Sequence, residues 1–260
     1  MLSKTQLDRL GDRLKSGTSD EPDLRLLDEY RRSFRTAYET AASTIRQTLG
    51  VEATGREAKT TAAISAKLRR QSIRLTQIQD IAGLRVIVAD LRSQDGLVSR
   101  LASLFPGALV EDRRKQPSNG YRAVHVIAVI GHRPVEIQVR TQEQHLWAEL
   151  SERIADSVDS AIKYGGGPTG VRDLLGLLSQ RLADIEAAEE RAHEAGEALF
   201  DARHAFSVDT IANRPELAAE LKKIEWDVDA LWDEVEGWKR GLREVIQALQ
   251  AIARIERDQP

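Results

Sequence analysis

From Leu217 to Ile252 apolar residues recur at alternating steps of four and three: Leu217, Leu221, Ile224, Val228, Leu231, Val235, Trp238, Leu242, Val245, Leu249 and Ile252. Only a helix brings such a series back to one face, so this stretch must be a long helix buried along one side, as a helical hairpin or a coiled coil. Trp226 and Trp232 sit off the seam and widen the apolar face. Leu174, Leu178, Leu182 and Ile185 begin a second apolar face upstream. The strongest break in the chain, Gly165-Gly166-Gly167-Pro168, comes just before it. This break predicts two domains, 1–167 and a helical tail over 168–260.

The body ahead of the break changes period. Residues 2–16 and 23–49 read as helices, the second carrying Leu24, Leu27, Tyr30, Phe34, Ala37, Ala41 and Ile45 at helical steps up to Gly50. A short strand is expected over 51–54 and a short helix over 60–70. The compact apolar run Ile81–Val88 reads as a buried strand, and 94–104 as a helix. Strands follow at 108–112, 123–130 and 134–140, the last two joined by Gly131-His132-Arg133, and 143–158 returns to helix. The order predicts an α/β fold: a mixed sheet of about five strands flanked by helices, with a long α-helical C-terminal tail.

Composition narrows the chemistry. With no cysteine, disulfides, thiolate metal sites and thiol nucleophiles are excluded, and a reducing cytoplasm is the expected compartment. The five histidines form no pair at metal-ligand spacing. No run approaches the roughly 18 apolar residues of a membrane span, and the mixed-charge amino terminus is unlike a secretory signal. The net charge of -3 conceals an asymmetry: residues 168–260 hold 12 Lys+Arg against 20 Asp+Glu, which leaves an excess of basic residues in 1–167. A basic body makes an anionic ligand such as a polyphosphate or RNA plausible.

Three clusters can carry chemistry. Arg56, Lys59, Lys67, Arg69 and Arg70 form a cationic run suited to several phosphates. Asp80 stands at the mouth of the Ile81–Val88 strand, with Arg85 further along it, and reads either as a cap or as a metal ligand. The third cluster runs from Asp112 to His125, includes Lys115 and Pro117-Ser118-Asn119-Gly120-Tyr121, and is followed by Glu136-Ile137-Gln138-Val139-Arg140. Alternation puts Glu136, Gln138 and Arg140 on one strand face, and three polar groups there are costly unless paired or in use. A solvated edge strand is the competing reading.

Four segments in series resemble the synthetase domain of the RelA/SpoT family. They are Asp80-Ile81-Ala82-Gly83-Leu84-Arg85, Asn119-Gly120-Tyr121-Arg122-Ala123-Val124-His125, Glu136-Ile137-Gln138-Val139-Arg140-Thr141 and Trp147-Ala148-Glu149. The resemblance covers roughly residues 25–167, and Lys163-Tyr164-Gly165-Gly166-Gly167 is similar to the ending of small stand-alone members. It implies transfer of the β,γ-pyrophosphoryl group of ATP to the 3′-hydroxyl of GDP or GTP, with release of AMP and formation of the alarmones ppGpp and pppGpp.

By the same resemblance, Asp80 and Glu136 are Mg²⁺ ligands, and Glu136 also activates the 3′-hydroxyl. Tyr121 stacks the acceptor guanine, and Lys115, Asn119, His125 and Gln138 belong to the acceptor side. Arg56 and Arg85 sandwich the donor adenine, while Lys59 and Lys67 grip its phosphates. The family's arginine-x-lysine spacing is one residue longer here (Arg56-Glu57-Ala58-Lys59), and Ala63 replaces a serine. No hydrolase motif is present, so a synthesis-only enzyme is expected. An alternative keeps the residues and changes the acceptor: a toxin-like member that pyrophosphorylates the 3′ end of tRNA or an adenine nucleotide. A nucleotide sensor without catalysis is a third reading. The expected partners are a second copy joined through the C-terminal helices and a neutralising antitoxin protein.

Overall fold

The computed structural model describes residues 3–257. Three helices open the chain, α1 (Lys4–Ser16), α2 (Glu21–Arg32) and α3 (Arg35–Leu49), followed by β1 (Thr54–Arg56) and α4 (Thr61–Arg70). Next come β2 (Ala82–Val88), α5 (Leu91–Leu104), β3 (Leu109–Asp112), β4 (Val124–Ile130) and β5 (Arg133–Thr141). The chain then turns helical through α6 (Gln142–Ser157), α7 (Thr169–His204), α8 (Val208–Ala212) and α9 (Pro215–Arg257). The mixed sheet has the order β1-β2-β5-β4-β3, so the α/β architecture with helical C-terminal segments is the one adopted.

Two local expectations are corrected. The helix read over 23–49 is broken at Ser33 and Phe34. There the Ser33 hydroxyl donates back to the Tyr30 carbonyl at 2.5 Å while Phe34 is fully buried, and such back-bonding competes with the helical ladder. The strand expected over 51–54 starts later, at Thr54, because Ala53 and Val51 pack on the core instead. The shift places Arg56 within the strand.

Chain contacts divide the fold into two compact units that do not follow the Gly165–Pro168 break. One comprises Met1–Arg113 and Ala123–Arg140; the other comprises Arg114–Arg122 and Thr141–Pro260. In the first unit the inner face of the sheet, with Leu84, Val86, Val126, Val135, Ile137 and Val139, shares a core with Leu10, Leu27, Phe34, Ile45 and Ile64 of the helices. β1 pairs antiparallel with β2, β3 with β4 and β4 with β5. The β4–β5 turn uses Gly131 (φ 55) and His132 (φ 67), two successive left-handed residues, the signature of a type I′ hairpin. At Gly55 a Cβ would lie 2.1 Å from the Gly83 carbonyl oxygen, so only glycine lets β1 approach β2 so closely.

In the second unit, Leu146, Trp147 and Leu150 of α6 share a core with Leu175, Leu178, Leu182 and Ile185 of α7 and Leu242 and Ile246 of α9. Arg203 meets Glu225 and Lys239 meets Glu189, so α9 runs back along α7 as a hairpin. The four-and-three seam is therefore used on one side: Leu221, Val228, Val235 and Leu242 are buried, whereas Ile224, Leu231, Val245 and Ile252 keep about half their surface. No helix among the described residues is long and apolar enough to cross a membrane.

The Lys239–Glu189 pair, 2.7 Å apart, has both side chains almost fully buried. Burial pulls the Lys239 ammonium down, but its bond to Glu189 together with the charges of Glu189, Glu236 and Glu143 outweighs that and holds it above its ordinary value. Removing one partner of such a pair strands the other charge. Glu189→Ala is expected to lower stability by about 3–5 kcal/mol in urea unfolding, whereas the double replacement Glu189→Leu/Lys239→Met stays close to wild type.

Candidate active site

In the first unit, the alternation of β5 sends Val135, Ile137 and Val139 into the core and turns Glu136, Gln138 and Arg140 to the opposite face. These polar groups form a chain of donors. An Arg140 guanidinium nitrogen donates to Gln138 Oε1 at 2.7 Å, and Gln138 Nε2 donates to Glu136 Oε2 at 2.7 Å. His125 stands opposite Gln138 in the β4–β5 register and brings its Nδ1 to 3.0 Å from Glu136 Oε1. Burial alone pushes the Glu136 carboxyl up. The contacts from His125 and Gln138 outweigh it and hold the group below the usual carboxylate range, with the nearby charge of Asp80 opposing them.

Asp80 lies just before β2, the strand next to β5 in the sheet. Lys59 Nζ donates to its Oδ2 at 2.5 Å and Lys67 Nζ to its Oδ1 at 2.8 Å. The backbone sets this up: the Lys59 N–H donates to the Ile81 carbonyl at 2.7 Å, and Thr60 caps α4, whose next turns carry Lys67. Burial pushes the Asp80 carboxyl up, yet the two ammonium groups bring it down to about 2. Burial lowers the Lys59 ammonium, and this exceeds the raising effect of Asp80, with Lys67 and Arg56 acting in the same direction as burial. Arg56 pairs with Gly83 and Thr54 with Arg85, so the β1–β2 register brings both arginines to one sheet face. Among the described residues no three His, Cys, Asp or Glu side chains converge as a metal cage.

In the second unit, a cavity of about 160 Å³ is lined by Asn119, Tyr121, Trp147, Glu152, Lys163 and Tyr164, among others. Asn119 (φ 52) and Gly120 (φ 85) are both left-handed, and the Tyr121 N–H donates to the Ser118 carbonyl at 3.0 Å, closing a tight turn. A Cβ on Gly120 would meet the Trp147 ring at 2.8 Å, so the glycine is required by close approach as well as by φ. Ser179 of α7 donates to the Gly120 carbonyl at 2.7 Å. Arg122 Nε donates to Glu186 Oε2 at 2.8 Å, and Gln144 Nε2 to Glu186 Oε1 at 2.7 Å. The Trp147 indole N–H donates to the Leu175 carbonyl at 3.0 Å.

The expected residues therefore fall into two groups. Asp80, Glu136, Lys59, Lys67, Arg56, Arg85, His125 and Gln138 belong to the first unit, and Lys115, Asn119 and Tyr121 to the second. His125 and Gln138, expected on the acceptor side, have Glu136 as their partner here, and Lys59 and Lys67 have Asp80. Lys115 is exposed and does not line the cavity. Sequence reasoning missed Glu152, Ser179 and Glu186. The α7 periodicity marks the helix that carries the last two but cannot reveal partners 59 and 64 residues away.

Because the folded carboxyl of Asp80 lies below its unfolded value, the stabilisation it contributes is complete above about pH 4 and is lost as pH falls towards about 2. In urea unfolding across that window, Asp80→Asn is expected to show a flatter fall in stability than wild type. Equal slopes would mean that the two lysines do not hold the carboxylate.

Comparison with known proteins adds independent findings. A family model described as "Region found in RelA / SpoT proteins" matches residues 55–157. The chain is 36% identical over 166 residues to "Uncharacterized protein Rv1366" of Mycobacterium tuberculosis, covering 58% of this chain and 60% of that one. It is 37% identical over 91 residues to "Probable GTP diphosphokinase RSH2, chloroplastic" of Arabidopsis thaliana, covering 34% of this chain and 13% of that one. The crystal structure of the small alarmone synthetase 1 from Bacillus subtilis aligns at 25% identity with a TM-score of 0.47, covering 69% of this chain and 98% of that one. Over residues 55–157 the chain is therefore similar to the RelA/SpoT proteins, and it spans 60% of the length of the Mycobacterium tuberculosis relative.

Proposed function

We propose that the chain is a (p)ppGpp synthetase that transfers pyrophosphate from ATP to the 3′-hydroxyl of GDP or GTP. The observation that carries this reading is Glu136. Inside the matched family region, a nearly buried carboxylate is kept ionised by two neighbouring groups, on the sheet face that also carries Arg85 and Gln138. Burial of an ionised carboxylate is costly, and a structural role would be met more cheaply by an apolar side chain.

In this reaction the acceptor 3′-oxygen bonds to the β-phosphorus of ATP, the bond from that phosphorus to the α-phosphate bridging oxygen breaks, and AMP leaves. Glu136 accepts the proton of the 3′-hydroxyl, a role suited to a carboxylate that is ionised before substrate arrives. His125 and Gln138 hold its two oxygens in place. Lys59 and Lys67 supply point charges for the donor phosphates, exchanging Asp80 for phosphate oxygens, and Arg56 and Arg85 offer planar surfaces for the adenine. Tyr121 stacks the acceptor base. The chemistry of the acidic pair suits Mg²⁺, which takes one or two carboxylates and completes its shell with water and substrate phosphate. Both carboxyls are held below the usual carboxylate range, and the charge of Asp80 reaches Glu136. Bound there, the ion would neutralise the charge developing on the transferred group.

The acceptor is the open choice in this proposal. A cavity of about 160 Å³ suits one heterocyclic base rather than a whole nucleotide. The excess of acidic residues over 168–260 disfavours a tRNA backbone there. Incubating the full chain with γ-labelled ATP, Mg²⁺ and GDP, GTP, ADP or total tRNA is expected to label a guanosine nucleotide. Label on tRNA or ADP alone would overturn the guanosine reading. Glu136→Gln is expected to reduce transfer by about 10²–10⁴-fold while ATP binding stays within about twofold. Tyr121→Ala is expected to raise the acceptor KM about tenfold and leave the ATP KM unchanged. Transfer by Glu136→Gln at the wild-type rate would refute the mechanism.

A further inference from the structure

We propose that α7 frames the acceptor pocket, with Ser179 and Glu186 acting as positioning residues that set the direction of Tyr121. The assignment of that pocket to the acceptor rests on the function proposed above; the clamp itself rests on geometry within the second unit.

The pocket-lining segment is tied to α7 at two points. Ser179 Oγ donates to the Gly120 carbonyl at 2.7 Å, and Arg122 donates to Glu186 through both Nε, at 2.8 Å, and Nη2. These two anchors fall on the residues immediately before and after Tyr121, so they fix the backbone from which its ring projects into the cavity. A third contact fixes the opposite wall: the Trp147 indole N–H is held by the Leu175 carbonyl at 3.0 Å. Leu175, Ser179 and Glu186 lie four and seven residues apart on one helical face, alongside the buried Leu178, Leu182 and Ile185. A single rigid surface therefore carries all three contacts.

The Arg122–Glu186 pair is poorly suited to be a mere source of stability. Its side chains are 12% and 7% exposed, and ions taken this far out of water gain little over apolar side chains of the same volume. What a buried pair of this kind does provide is register, because any sliding of the helix leaves two charges unpaired. Gln144 donating to the second Glu186 oxygen at 2.7 Å reinforces that single position. Register matters at this place because Asn119 and Gly120 are both left-handed: a small slip of either anchor would rotate Tyr121 away from Trp147 and Tyr164.

The test uses the full chain with Ser179→Ala, Glu186→Gln and the charge-retaining Glu186→Asp. Hydrogen exchange is followed by mass spectrometry over residues 114–122, and acceptor and ATP KM values are measured separately. Ser179→Ala and Glu186→Gln are each expected to speed exchange in that segment about tenfold, with peptides of the first unit unchanged. Each should raise the acceptor KM about tenfold, with the ATP KM and the rate at saturating acceptor within about twofold, and Glu186→Asp should recover most of the loss. Unchanged exchange over 114–122, or a rise in ATP KM equal to that for the acceptor, would overturn the proposal. Ser179→Ala removes one hydroxyl and no charge, so it keeps the test decisive should Glu186→Gln not fold. If the wild type labels no guanosine nucleotide, the proposed function fails, and the exchange measurement still decides the clamp.

Discussion

The arrangement around Glu136 follows from one constraint: arginine can only donate hydrogen bonds. The Arg140 guanidinium, buried beneath β5, needs an acceptor and finds the Gln138 amide oxygen. That choice turns the amide nitrogen of Gln138 outward, where it can only donate, and the group it meets is the Glu136 carboxylate. A two-residue strand period thus becomes a chemical direction, with each side chain orienting the next. His125 completes the arrangement from the neighbouring strand by approaching the other oxygen of Glu136. The site therefore depends on the β4–β5 register, since a one-residue slip would turn all three polar groups into the apolar core and bring Val135, Ile137 and Val139 to the site face.

The second acidic group is stabilised differently. Asp80 is held by two ammonium groups, one from Lys59 just ahead of α4 and one from Lys67 in its later turns. Lysine suits a role in which partners are exchanged, because its charge is compact and its stem flexible, whereas the fork of an arginine would bind one carboxylate geometry more rigidly. Glu136 is thus fixed by a directed chain of donors, whereas Asp80 is held by two flexible point charges.

Much of this was legible in the sequence because the determinants are local. Alternation along 134–140, the Pro-Ser-Asn-Gly turn and the cation run before Asp80 each declare their residues within a few positions. The break at Ser33 was not legible, because back-bonding by a serine is decided by whether its neighbour Phe34 finds a core to enter. The four-and-three seam of α9 foretold the helix but not its partner, since the same pattern serves a hairpin and a coiled coil equally. Least legible was the role of α7. Ser179 and Glu186 lie 59 and 64 residues from the groups they hold, and nothing in the local composition distinguishes them from any serine or glutamate on a helix.

Gly165 and Pro168 suggest a chain that could be cut in two, but the fold is threaded differently. The nine residues Arg114–Arg122 leave the sheet after β3, join the helical unit and return before β4, at a neck closed by the Arg113 N–H donating to the Ala123 carbonyl at 2.9 Å. Translation makes this loop long before it makes α7. A nascent polypeptide that has emerged from the ribosome only as far as β5 can complete every strand, yet it lacks the helix on which its Asn-Gly turn comes to rest. Ordering of the loop is thereby deferred to a late stage of synthesis, and a truncated product would be born with its strands present and its loop unmoored.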